Sequence, residues 1–204
     1  MHSLWTQMWF LPRPTIRQIV ESNPNQKLPL LIAGAGIAHA LSFAAGTGMG
    51  KNTPLPALIL FAIIMGPVSA LLTVWVGGYL LRWSAAKLGG SATVAETRAA
   101  IAWSWVPIVT ILPLWIPRYI LFADELFKLE TPRIDSIPTL SFLFDFINSI
   151  EFIVVIWGAL LLYSALAEIN RFSAWRGFVS VLFAISIVYI PLLLILLLIG
   201  AAGM

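Results

Sequence analysis

The sequence contains no cysteine, which excludes disulfides, thiolate catalysis, iron–sulfur clusters and cysteine zinc sites. Its two histidines, His2 and His39, are too few for ordinary metal chemistry. Charge is scarce as well: 10% of the 204 residues are Asp, Glu, Lys or Arg, against roughly 25% in a soluble domain, so a freely soluble globule is excluded. No His-Glu-x-x-His, nucleophile elbow or Ser/His/Asp set is visible. An enzyme is therefore not expected, and neither is a bound cofactor or a nucleic-acid partner. What the chain does have is apolar surface. Hydrophobic residues make up 60% of it, 12% is aromatic, and mean hydropathy is +0.94. Lipid is its main solvent, and its length suits one helical bundle.

Crossing hydrocarbon about 30 Å thick takes roughly 20 apolar residues at 1.5 Å each. Five runs of that kind occur, at about 28–45, 55–81, 99–121, 150–167 and 177–199. The fold expected is all-α: a polytopic membrane bundle of five transmembrane helices (residues 28–204), preceded by a segment (1–27) with a short amphipathic helix. That helix rests on Ile16, Ile19 and Val20, which recur at i, i+3, i+4 after Pro14 while Arg13, Arg17 and Glu21 lie elsewhere. Trp5 and Trp9 ahead of it suit the headgroup layer, so the segment reads as a juxtamembrane anchor, with a partner-binding segment as the alternative. No secretory signal is expected, because the apolar stretch 8–11 is short and prolines follow it. Gly66-Pro67 predicts a kink in the second run. Pro107, Pro113 and Pro117 weaken the third, which must then pack inside the bundle or bend along an edge.

Orientation follows from the basic residues. With the N-terminus in the cytoplasm, Arg13, Arg17, Lys27, Arg82, Lys87, Arg98, Arg171 and Arg176 fall inside, and Lys51, Arg118, Lys128 and Arg133 outside. Eight against four predicts N-in and C-out, as in the inner (cytoplasmic) membrane of a bacterium. Residues 122–149 form the one long polar connection. They carry too many apolar side chains for a disordered loop and predict a reentrant or surface-lying element on the outer side, broken at Pro132 and Pro138.

Local motifs cluster on the inner turns. Gly89 and Gly90 can end a helix in a left-handed conformation, and Thr93 three residues before Glu96 matches a capping box; a phosphate cradle is the weaker alternative. On the matching turn, Glu168 and Arg171 stand at i, i+3 as a local ion pair. Ser173 is an N-cap candidate there, and Trp175 and Arg176 suit the interface. In the first run, Gly36, Ala40 and Ala44 fall four apart and form a small-residue face for close helix approach. His39 lies beside that face. An interhelical hydrogen bond is its ordinary reading, and a contact with a pigment or other cofactor shared with a partner subunit is the alternative. Glu151, near the outer end of the fourth run, is a candidate for titration in a proton path.

Several of these motifs recur in a fixed order. Trp9-Phe10-Leu11-Pro12-Arg13-Pro14-Thr15 opens the chain, and Asn23-Pro24 precedes the first run. The glycine pair then leads to Thr93-x-x-Glu96-Thr97 and to Ala100-Ile101-Ala102-Trp103-Ser104-Trp105-Val106-Pro107. Phe172-Ser173-Ala174-Trp175-Arg176 comes before the last run. In this order the sequence resembles the YIP1 family, the bacterial and archaeal relatives of the Yip1 proteins of eukaryotic Golgi membranes. The resemblance implies five spans and a cytosolic N-terminus. Eukaryotic members interact with small GTPases and shape or traffic membranes. Their acidic Asp-Leu-Tyr-Gly-Pro type motif is absent, so GTPase interaction is not carried over.

Two functional readings follow. The leading one is a non-enzymatic membrane-organising factor or accessory subunit that acts by helix packing, with membrane lipids and other membrane subunits or its own copies as partners. The rival is a small solute or ion transporter whose proline-broken third span, with Ser104, Trp105 and Pro107, lines a path read by Glu96 or Glu168. A third, weaker reading places lipid or cofactor in a groove beside the broken helix.

Overall fold

A computed structural model describes residues 3–202, with side chains through residue 198, and every regular element among them is helical. His2 lies outside the described residues. Two short helices, α1 (Leu4–Phe10) and α2 (Pro12–Ser22), precede the first span, α3 (Leu28–Gly46), and the second, α4 (Leu55–Lys87). The third span is assembled from α5 (Val94–Ser104), α6 (Val106–Ile111), a 3-10 turn at Leu112–Leu114 and α7 (Trp115–Phe122). A 3-10 turn at Ala123–Phe127 and α8 (Pro132–Ser136) lead into the fourth span, α9 (Pro138–Ile169), and the fifth, α10 (Ala174–Ala202). Five stretches are long and apolar enough to cross a membrane, which makes this an all-α multi-pass membrane protein.

The bundle has two recognisable ends. At one, which we call the basic end, the turns 88–93 and 170–173 meet: Ala92 N–H donates to Asn170 Oδ1 at 3.1 Å. At the far end, the turn after α3 meets the turn after α7, with Gly48 against Leu129 and Gly50 against Phe127.

The three prolines of the third span explain its breaks. Pro107 enters the first turn of α6, Pro113 the 3-10 turn and Pro117 the first turn of α7, positions where a missing N–H leaves no acceptor unserved. The broken span is also the most deeply packed of the five. Thr97 and all six residues of 99–104 are buried, so neighbouring helices rather than lipid surround the irregular backbone.

The fourth span corrects the sequence reading. Its helix begins at Pro138, twelve residues before the apolar run at about 150, because proline at a first helical position starts a helix rather than breaking one. Residues 123–137, between α7 and α9, fold over the far end, and Phe122, Leu126, Phe127 and Ile134 are buried there with Ala44, Leu58 and Trp115. In α4, Pro67 sits inside one unbroken helix.

The N-terminal helices pack against the bundle. Met8, Ile16 and Ile19 are fully buried in the same core cluster as Leu31, Trp103 and Leu166, with Trp5 and Trp9 packed against it. Trp5 Nε1 donates to Thr110 Oγ1 at 2.9 Å, tying α1 to α6. An apolar side chain withdrawn from water contributes about 1.5–3 kcal/mol, whereas an exposed ion pair contributes at most about 1 kcal/mol. Burial of this apolar face, more than the Arg17–Glu168 pair at the rim, holds the segment down.

Candidate functional site

The strongest concentration of polar chemistry lies near the far end, between α3, α7 and α9. Asn148 and Glu151 are three residues apart and so share one face of α9. Arg118, in the first turn of α7, reaches both: Nη1 donates to Glu151 Oε2 at 2.5 Å and Nη2 to Asn148 Oδ1 at 2.9 Å. Ser42, one turn before the end of α3, donates to Glu151 Oε1 and stands 3.0 Å from the Ala38 carbonyl. The guanidinium carbon lies 4.3 Å from the centroid of the Trp115 ring, a cation–π contact. The Arg118 side chain is 6% exposed and that of Glu151 21%.

A charge taken out of water is tolerated when a partner and hydrogen bonds replace its hydration. Glu151 meets this on both oxygens, and Arg118 on two of its three nitrogens. Its Nε is buried without a partner. A cavity of about 320 Å³ adjoins the network and is lined by Ser42, Trp115, Arg118, Lys128, Phe144 and Glu151, among others. Arg118, assigned to the outer loops by the charge count, belongs to the bundle interior, leaving Lys51, Lys128 and Arg133 at the far end.

The basic end carries the motif residues. Helix α4 closes in a Schellman arrangement: Gly90 N–H donates to the Ala85 carbonyl at 2.8 Å, Gly89 N–H to that of Ala86 at 3.1 Å, and Gly89 has φ +86. A side chain on Gly90 would collide with Asn170. Thr93 and Glu96 cap α5 reciprocally, Thr93 N–H donating to Glu96 Oε2 at 2.6 Å and Glu96 N–H to Thr93 Oγ1 at 3.3 Å. Helix α9 ends in the same way as α4, but with Arg171 in the left-handed position at φ 56. This ending separates Arg171 from Glu168, whose carboxylate accepts from Arg17 Nε at 2.7 Å instead. The expected Glu168–Arg171 pair is thus replaced by one that reaches across to α2. Ser173 directly precedes α10; Trp175 and Arg176 are exposed, and Trp175 tilts against Phe178.

Gly36 faces Gly66 so closely that a Cβ on either would strike the other's backbone, and Ala40 and Ala44 are buried on the same helix. His39 is exposed on the bundle surface, its ring edge-on to Trp105 at 5.9 Å. No hydrogen bond from His39 occurs among the described residues, which differs from the interhelical bond expected: the small-residue face turns inward and His39 outward. Ser104 is buried and donates to the Ile101 carbonyl at 2.6 Å, and Pro107 is buried in α6. Glu96 accepts within its cap and Glu168 accepts from Arg17. No group of three His, Asp or Glu among the described residues could hold a metal ion.

A family model, the Yip1 domain, matches residues 6–196, nearly the whole chain. The chain belongs to the Yip1 family. No curated protein and no solved structure matches it. In this Yip1-family chain the residues that sequence reasoning passed over are Ser42, Asn148, Arg118 and Asn170. Two of the network's members carried a signal: Arg118 falls within the third apolar run and Glu151 within the fourth, and opposite charges inside two spans invite pairing.

Proposed function

We propose that this Yip1-family protein is a non-enzymatic component of the inner (cytoplasmic) membrane, with its N-terminus in the cytoplasm and its C-terminus outside. It acts through helix packing, organising the membrane or serving as an accessory subunit of a larger assembly. The observation that carries this reading is the state of α10. Its first half packs on α4 and α9 through Gly177, Ser180 and Ala184, yet every side chain of 188–198 is exposed. Helix association in lipid is driven by packing, and a half-span with no intramolecular neighbour is available to one from another chain.

The test is photocrosslinking in native membranes from a reactive group at Leu193 or Leu196, with Leu72 on the exposed side of α4 as control. A discrete protein adduct from α10 and none from α4 supports a subunit role. Lipid adducts alone from both helices would sink it.

A further inference from the structure

We propose that the far end of the bundle binds a phosphate-bearing anionic lipid, its head in the Arg118–Lys128 cavity and an acyl chain in the groove between α3, α4 and α7. This reading stands apart from the subunit role and rests on different residues. The first argument is charge. Both oxygens of Glu151 already accept, and both oxygens of Glu125 accept from the backbone of α8, at Arg133 N–H and Ile134 N–H, each at 3.0 Å. The cations are less committed. Arg118 retains its unpartnered Nε–H, and among the described residues neither Lys51 nor Lys128 has an ion pair. Lys128 lines the polar cavity of about 320 Å³ and also, with Lys51, a neighbouring one of about 420 Å³. In the cavity of about 320 Å³ the one lining carboxylate, Glu151, is satisfied while Arg118 Nε and Lys128 are not. This selects an anion there even though an exposed Glu130 shares the cavity of about 420 Å³ with Lys51 and Lys128, and phosphate offers the acceptor oxygens.

The second argument is position and shape. Ser42 lies four residues from the end of α3, so the network sits about 6 Å below the end of the shortest span, at headgroup depth. Trp115 lines both the polar cavity and an overwhelmingly apolar groove of about 370 Å³. That groove runs from Leu55 to Ile63 on α4, about 12 Å into the hydrocarbon, with Ile116 and Ile120 of α7 exposed along its other side. One aromatic ring therefore divides a cationic pocket from a lipid-facing channel. A free anion would use the first and ignore the second.

The experiment is native mass spectrometry and thermal unfolding of the purified chain in mild detergent, with phosphatidylglycerol, phosphatidylcholine of the same acyl chains, or inorganic phosphate added. Expected is retention of one phosphatidylglycerol, about tenfold over phosphatidylcholine, as one charge-assisted contact gives. The double variant Lys51→Gln/Lys128→Gln, at exposed positions, should erase most of that preference, while Arg82→Gln/Lys87→Gln at the opposite end should leave it intact. Equal retention of both lipids, an unchanged preference in Lys51→Gln/Lys128→Gln, or equal loss in the control pair would overturn the proposal. Stabilisation by inorganic phosphate matching that by phosphatidylglycerol would also overturn it, since the groove would then contribute nothing.

Discussion

Arg118 shows how much one side chain can demand of a membrane bundle. Its burial is tolerated because Glu151, Asn148 and the Trp115 face replace water around it. Removing one partner leaves the other charge stranded: Arg118→Ala should cost about 3–5 kcal/mol, the range for a broken buried pair. The neutral pair Arg118→Gln/Glu151→Gln should cost far less, because no charge remains to be desolvated. Thermal unfolding of the single and double variants in detergent checks this, and additive losses would mean that the two groups are not coupled. Glu151 and Arg118 were each visible as a charge within an apolar run. Their pairing was hidden because they stand thirty-three residues apart and Arg118, following three prolines, passes for a loop cation.

Among the elements, the crossing of α3 and α4 depends on two glycines where backbones meet. Gly36→Leu should lower stability by about 1–3 kcal/mol or prevent folding, the cost of overpacking. Gly46→Ala, which meets nothing within 4 Å, should be neutral. Melting temperatures of the two variants decide the matter. The small-residue spacing of Gly36, Ala40 and Ala44 was legible, as were the Thr93–Glu96 cap and the buried, proline-broken third span, because each depends on local spacing or on the solvation of a single element. The bounds of α9 were not. Asp145, Asn148 and Glu151 interrupt the apolar run and disguise a helix on which Asn148 and Glu151 are turned toward Arg118 of α7. The docking of α1 and α2 was equally hidden: the apolar stripe of α2 was evident, but a stripe does not say whether lipid or protein covers it.

For the molecule as a whole, every proposal above depends on five crossings that place the basic turns on one side of the membrane and the turns around Asn52 and Ser136 on the other. The eight-to-three excess of Lys and Arg at the basic end, once Arg118 is moved into the bundle, argues that this end faces the cytoplasm. A chain without cysteine makes the measurement direct. Single substitutions Ser91→Cys, Ser173→Cys, Asn52→Cys and Ser136→Cys are labelled with a membrane-impermeant maleimide in intact cells and again after opening the membrane. The account predicts that Asn52→Cys and Ser136→Cys react in intact cells and that Ser91→Cys and Ser173→Cys react only after opening. Labelling of Ser91→Cys and Asn52→Cys from the same side would contradict it.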